Sequence, residues 1–197
     1  MEQKSDEEKE IQQDFGYDYQ KYGEQQAFMA ASFSEYNALL KDINDQTYID
    51  LGLVVEHLSE GEFPSRPFPV TGRVYGPSLR IMAPLLFRQF NDPNSKTLNV
   101  WCVIDTTSAH TCLSVKTLEA FVGKGNVIDD RYLFAVQKSD PWIEVKVSRV
   151  GSEFEHANVL GMDTLDYMYL SVIFNIRKKQ VSIVDTEIKI EENNEDN

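Results

Sequence analysis

An apolar run that ends on one acidic residue constrains this chain more than any other feature. Residues 97–104 are mostly apolar, and Asp105 follows them directly, with the hydroxyl residue Thr106 next. Further along, in residues 158–163, two apolar residues precede Gly161, a pattern that indicates a turn after a short apolar stretch. These patterns predict a β-rich domain in which a strand delivers a carboxylate to a turn.

The formal net charge of −13 is concentrated at the two ends of the chain. Residues 1–24 hold 8 acidic and 3 basic side chains, and residues 185–197 hold 6 and 1, which leaves 18 acidic and 15 basic ones between them. Nucleic-acid recognition needs a basic face, and this distribution does not provide one. We therefore expect disordered acidic ends at 1–24 and 187–197 and no nucleic-acid partner.

The cysteines and the hydropathy argue against a disulfide framework and a membrane span. Cys102 and Cys112 are the only cysteines, and their spacing matches no zinc motif. No apolar run approaches the roughly 18 residues of a spanning helix, and no apolar signal region opens the sequence. We expect an intracellular protein, cytoplasmic or nuclear, with no membrane contact, no metal and no cofactor.

The first third of the chain is predicted to be helical and then to enter a linker. Apolar side chains recur at steps of three and four from residue 25 onward, which is typical of an amphipathic helix. These residues are Met29, Phe33, Tyr36, Leu40 and Ile43. A weaker helical pattern covers 49–58, so a helical segment is predicted over 25–62. Three prolines within 63–69 disfavour both helix and central strand, so a linker is predicted over 63–76.

Beyond residue 76 the pattern is that of strands joined by turns. Apolar or alternating runs are separated by clusters of Asn, Asp, Ser and Pro, whose backbone preferences favour turns. The predicted hairpins pair 79–90 with 97–104, 132–136 with 142–150, and 170–176 with 180–184. A short helix is predicted over 164–168.

The two motifs resemble those of the retropepsin family, the single-domain aspartic proteases of retroviruses, retrotransposons and their cellular relatives. Retrotransposon members typically have Asp-Thr-Gly-Ala-Thr-His-Ser-Phe-Ile-Ser after the strand, and residues 105–114 align with that series in register. Residues 158–165 resemble the family's Asn-Ile-Leu-Gly-Met-Asp-x-Leu. The resemblance implies a retropepsin-like domain over 77–186. Its fold would be mainly β, a half-pepsin barrel or sandwich that is closed and has one short C-terminal helix, preceded by the small helical segment.

The resemblance also implies roles for individual residues. Asp105 is the expected catalytic carboxylate, and a single-domain chain must then form a homodimer, because the mechanism needs two carboxylates that share one proton. Thr106 is expected to hydrogen-bond to the partner's equivalent loop. Leu160 and Gly161 are expected to form a structural loop that crosses beneath the active-site loop. The flap that covers the substrate is assigned to Lys138, Ser139 and Asp140.

Two departures from the family pattern predict impaired catalysis. The third residue of the active-site motif is Thr107 where the family has glycine, and a β-branched side chain is expected to crowd the position of the scissile peptide. The expected flap loop, residues 136–141, contains no glycine and includes the rigid Pro141.

Three functional hypotheses follow. The first is a pseudo-protease that serves as a homodimerisation or peptide-binding module in a larger protein assembly. The second is an active homodimeric aspartic endopeptidase that uses Asp105 from each subunit. The third makes the helical segment over 25–62 an adaptor that is carried on a dimeric scaffold.

Overall fold

The computed structural model describes residue 40, residues 42–90, residue 92, residues 94–152 and residues 154–186 of the chain. Within them the fold is mainly β with a few short helices, which confirms the predicted class at that level. The strands are β1 Val70–Tyr75, β2 Arg80–Gln89, β3 Thr97–Ile104, β4 Cys112–Ser114, β5 Arg131–Val136, β6 Trp142–Ser148, β7 Val159–Leu160, β8 Leu170–Asn175 and β9 Gln180–Asp185. The helices are α1 Asp45–Leu51, α2 Val115–Val122 and α3 Met162–Tyr167.

The three predicted hairpins are present, with boundaries close to those expected. They are formed by β2 with β3, β5 with β6, and β8 with β9, all antiparallel. The strands follow the order β3-β7-β4-β6-β5-β2-β1-β9-β8, and β3 also pairs with β2. Within this order β3 and β7 run parallel, although long stretches of sequence separate them.

β2 accommodates a proline because its pairing changes partway along its length. One side of β2 pairs with β3 over most of the strand, while the other side pairs with β1 at residues 80–82 and with β5 at residues 87–89. Pro84 lies between these two pairings, where its missing N–H removes no hydrogen bond from a ladder.

β3 is buried on both faces, which explains its nearly continuous apolar sequence. Side chains of a strand alternate between faces. Accordingly, Val100, Cys102 and Ile104 belong to the larger apolar cluster, together with Phe87 and Phe134. Trp101 and Val103 belong to a second cluster, in which Tyr48 and Leu51 of α1 cover the opposite face of the strand.

The helical segment predicted over 25–62 is only in part helical where the structure describes it. Only α1 is helical there, and it begins at a capping box in which the Asn44 side chain accepts a hydrogen bond from Thr47 N–H at 3.2 Å. Residues 57–61 instead run beside β3, with Leu58 N–H donating to the Asn99 carbonyl at 2.7 Å. The amphipathic pattern before residue 40 lies outside the described residues, as do the acidic ends 1–24 and 187–197.

The predicted linker over 63–76 is wrong at its C-terminal end, where β1 occupies Val70–Tyr75. The last of the three prolines is Pro69, so every residue of β1 keeps its N–H group. Val70 and Val74 bury their side chains, and β1 lies between β2 and β9 in the sheet. A Cβ at Gly72 would sit 3.0 Å from Ala83 Cα, so glycine lets β1 lie close against β2.

None of the helices in the described residues is long and apolar enough to cross a membrane.

Candidate functional site

The structure brings the two sequence motifs together at one end of β3. β3 and β7 run parallel, and Val103 N–H donates to the Asn158 carbonyl at 2.7 Å. One step further, Asp105 N–H donates to the Leu160 carbonyl at 3.1 Å. The backbone of Asp105 is therefore fixed by the loop that was expected to lie beneath it, and its half-buried side chain is presented at the end of the strand.

The residue after Thr106 closes a tight turn onto the carboxylate. Thr107 N–H donates to Asp105 Oδ1 at 2.9 Å, and the Thr107 hydroxyl donates to the same oxygen at 2.6 Å. Among the described residues Asp105 Oδ2 accepts no hydrogen bond. Thr107 has a negative φ, so its backbone is not in the left-handed region that would require glycine. Thr106 is exposed at the top of the turn.

Gly161 lies directly against the loop that carries Asp105. A Cβ at this position would sit 2.5 Å from the carbonyl oxygen of His110, so only glycine allows the two backbones to cross this closely. Gly161 N–H donates to the Thr111 hydroxyl at 3.0 Å, within a fully buried environment. The backbones of the two loops are thus in direct contact at Gly161 and His110.

Asp163, at the start of α3, ties the loop to the helix. Its Oδ1 accepts hydrogen bonds from Thr111 N–H at 2.9 Å, from the Thr111 hydroxyl at 2.8 Å and from Thr164 N–H at 2.7 Å. Its Oδ2 lies 3.1 Å from Thr111 N and 3.4 Å from His110 Nδ1. Sequence reasoning assigned no role to Asp163 or Thr111, although both lie within the quoted motifs.

Asn158 is a second residue whose role the sequence did not reveal. Its buried side chain accepts from Ser114 N–H at 3.0 Å and donates to the Trp101 carbonyl at 3.3 Å and the Tyr48 hydroxyl at 3.2 Å. Tyr48 in turn donates to the His156 carbonyl at 2.9 Å, and burial raises the pKa of this phenol. Its only sequence signal was an amide immediately before two apolar residues, which is also the family's pattern.

The residues predicted to form a flap are not brought to Asp105. Gln137 N–H donates to the Leu86 carbonyl at 2.8 Å, which fixes the start of this loop on β2. Leu86 pairs with Asn99, and Asn99 precedes Asp105 by six residues, about 20 Å along a strand. Lys138 forms an ion pair with Asp185 at 3.8 Å. Ser139 and Asp140 complete this short loop, and no contact in the described residues links them to the turn at Asp105.

The described residues contain no group of three or more His, Cys, Asp or Glu side chains arranged to hold a metal ion. Burial raises the pKa of the Cys112 thiol, which disfavours its nucleophilic thiolate form. The arrangement can therefore present one carboxylate, hold it rigidly, and offer a single open carboxylate oxygen.

No family model, curated protein or solved structure matches this chain.

Proposed function

We propose that residues 77–186 form a retropepsin-like domain that acts as a pseudo-protease, a homodimerising or peptide-binding module in a larger assembly. The strand pairing supports this fold. It runs β3-β7-β4-β6-β5-β2 and returns from β2 to β3, the connectivity that a closed barrel requires. The turn at Asp105 follows β3 where β7 pairs with it, and Gly161, just after β7, lies against the loop that carries Asp105.

The observation that carries the proposal is the bond from the Thr107 hydroxyl to Asp105. A catalytic pair must share a proton between two carboxylates and also hold a water molecule, so each carboxylate needs accessible lone pairs. Oδ1 of Asp105 already accepts two donors from Thr107. The steric block expected from Thr107 is therefore better described as a polar one, in which its side chain occupies the carboxylate itself.

Homodimerisation is supported by the C-terminal hairpin. β8 is the last strand of the sheet order, and among the described strands it pairs only with β9. Ile173, Phe174 and Ile176 expose 60%, 52% and 59% of their surfaces at the end of this strand. An exposed edge strand with apolar side chains is a site for pairing with another strand. A second copy of the chain is the partner that would also supply a second Asp105.

One observation favours the active endopeptidase as a second candidate. Asp105 is only half-buried, and its Oδ2 is open among the described residues. A partner's Asp105 and one water molecule could both reach this oxygen in a symmetric dimer. Catalysis of this kind needs no metal and no organic cofactor.

The dimer is tested by light scattering of the full-length chain at tens of micromolar. A mass of two chains is expected, and Ile173→Lys should shift it toward one chain because it places a charge on the apolar edge. Lys96→Glu, a charge change on an exposed side chain in the β2–β3 hairpin, is the matched control. A monomeric mass for the unaltered chain would remove the homodimer.

Catalysis is tested with a mixed peptide library between pH 4 and pH 7. We expect no cleavage by the unaltered chain. Activity that appears in Thr107→Gly and remains absent in Thr107→Ser, which keeps the hydroxyl, would identify the Thr107 bond as the defect. Cleavage by the unaltered chain that is lost in Asp105→Asn would instead establish the endopeptidase and refute the pseudo-protease.

A further inference from the structure

A cavity of about 440 Å³ lies between the start of β6 and helix α3, within the size range of pockets that bind small ligands or side chains. The residues that line it are Trp142, Ile143, Glu144, Asp163, Thr164 and Tyr167. Asp163 also supports the loop that carries Asp105, because it accepts hydrogen bonds from Thr111. Thr164, which also lines the cavity, lies 2.6 Å from the Thr111 hydroxyl, so two residues join the cavity to the candidate site.

The chemistry of the lining is that of a cation site. Two aromatic side chains, Trp142 and Tyr167, are 41% and 56% exposed, and two carboxylates, Glu144 and Asp163, accompany them. The described residues that line the cavity include no basic side chain. Aromatic faces and carboxylates both attract a cation, and their combination in one concave site favours a guanidinium or ammonium group.

We propose that this cavity binds a cationic side chain, arginine in preference to lysine, of a peptide held along the Asp105 loop. The inference rests on the proposed peptide-binding function. Arginine is preferred because its planar guanidinium can stack on an aromatic face and form paired hydrogen bonds to a carboxylate at the same time. The Trp142 ring stacks on Phe90 with centroids 5.5 Å apart, which holds the indole in place for such a contact.

The two carboxylates contribute differently. Oδ1 of Asp163 already accepts three hydrogen bonds, so this carboxylate is fixed in position and acts mainly through its charge. Glu144 forms an ion pair with Arg131 at 3.0 Å, and the two side chains are 47% and 62% exposed. A surface pair of this kind contributes little and can be exchanged for another cation. Arg131 is therefore a competitor for the incoming side chain.

The direct test uses the full-length chain and N-acetyl-arginine amide, with the uncharged isostere N-acetyl-citrulline amide as the control ligand. Binding is followed by the indole NMR signal of Trp142, while the signal of the buried Trp101 reports any global change. We expect a saturable shift of the Trp142 signal with a Kd of about 1–10 mM, since one aromatic contact and a screened ion pair are weak. A shift of equal size with the citrulline compound, or none with arginine, would overturn the proposal.

Three charge variants separate the cavity from general electrostatics. Glu144→Gln should weaken arginine binding about two- to fivefold, and Arg131→Gln should strengthen it about twofold because it removes the competitor. Asp166→Asn makes the same charge change on α3 but does not line the cavity, so it should leave the Kd unchanged. Equal weakening by the variants at Glu144 and Asp166 would show that only net charge matters and would contradict the proposal.

A peptide selection then distinguishes this inference from the function on which it rests. The full-length chain is incubated with a random peptide library, and bound peptides are sequenced. Enrichment of arginine that is reduced in Glu144→Gln supports both statements. Peptide binding without any basic preference refutes the cation cavity and leaves the peptide-binding module. Binding of N-acetyl-arginine amide without any peptide binding refutes the module and leaves the cation cavity.

Discussion

A partly buried histidine beside α1 makes the stability of this protein depend on pH. The backbone N–H of Trp101 donates to His57 Nδ1 at 3.2 Å, so the neutral imidazole carries its proton on Nε2. The ring also stacks on Tyr48 with centroids 4.2 Å apart. Burial, followed by the positive charge of Lys116, lowers the pKa of His57 to about 4, against a partial opposing effect of Asp45.

The sign and size of the effect follow from proton linkage. In the unfolded chain a histidine has a pKa of about 6.5, so it binds a proton as the pH falls below that value while the folded protein does not. The free energy of unfolding is therefore constant above about pH 7 and falls as the pH decreases from 6.5 toward 4. Between pH 7 and pH 5 the loss from His57 alone is about 2 kcal/mol.

The measurement is urea unfolding at pH 7, 6 and 5, with the free energy of unfolding extrapolated to water. Replacement of His57 by Asn keeps an acceptor for Trp101 N–H and removes the imidazole, so the decrease of about 2 kcal/mol should disappear. The substitution also removes the ring stack and so lowers the free energy of unfolding at every pH. The quantity to compare between the two proteins is therefore the change in this free energy from pH 7 to pH 5. His156→Asn, at an exposed position, is the matched control. An unchanged slope in the His57 variant would refute the assignment.

Three further predictions concern the network beneath Asp105. Thr111→Val keeps the shape of the side chain but leaves the buried N–H of Gly161 without a hydrogen-bond acceptor. The free energy of unfolding, measured in urea, should therefore fall by about 2–3 kcal/mol. A decrease below about 0.5 kcal/mol would contradict the role of Thr111 as that acceptor. Gly161→Ala should prevent stable folding, seen as loss of cooperative thermal unfolding, since its Cβ overlaps the His110 backbone. Tyr48→Phe should lower the free energy of unfolding by about 1–3 kcal/mol, because Asn158 N–H and the His156 carbonyl lose the Tyr48 hydroxyl as their partner. An unchanged free energy of unfolding would contradict this prediction.

The hairpins could be predicted from sequence because each depends on a local pattern. Alternating or apolar runs on either side of turn-forming residues define β2–β3, β5–β6 and β8–β9, and the pairing partner is the next run along the chain. β1 was missed because the prolines that precede it and Gly72 within it disfavour a strand in the sequence, although one partner, β2, follows after only four residues. Its other partner, β9, lies far along the chain. Residues 57–61 have no strand signal and lie beside β3 through backbone bonds that any side chain permits.

The same division applies to the candidate site. Asp105 and Gly161 were identified because each belongs to one of the two motifs. That their loops lie close together was implied only by the family resemblance. Thr111 and Asp163 were missed because a threonine in a loop and an aspartate at a helix start have ordinary local explanations. Lys138 was assigned to a flap only because the family resemblance implied one for its hairpin. Its loop is instead fixed on β2 and paired with the end of β9, and neither contact has a local signal.

The support beneath Asp105 and the chemistry above it are separable in this fold. Below the loop, the backbone N–H groups of Val103, Asp105 and Gly161 all have partners within one chain. The loop is therefore held in shape without a second subunit. Above it, a single side chain, Thr107, occupies one oxygen of the carboxylate. Because none of these backbone bonds involves Thr107, a change at Thr107 can free the Asp105 carboxylate without loss of the bonds that hold the loop.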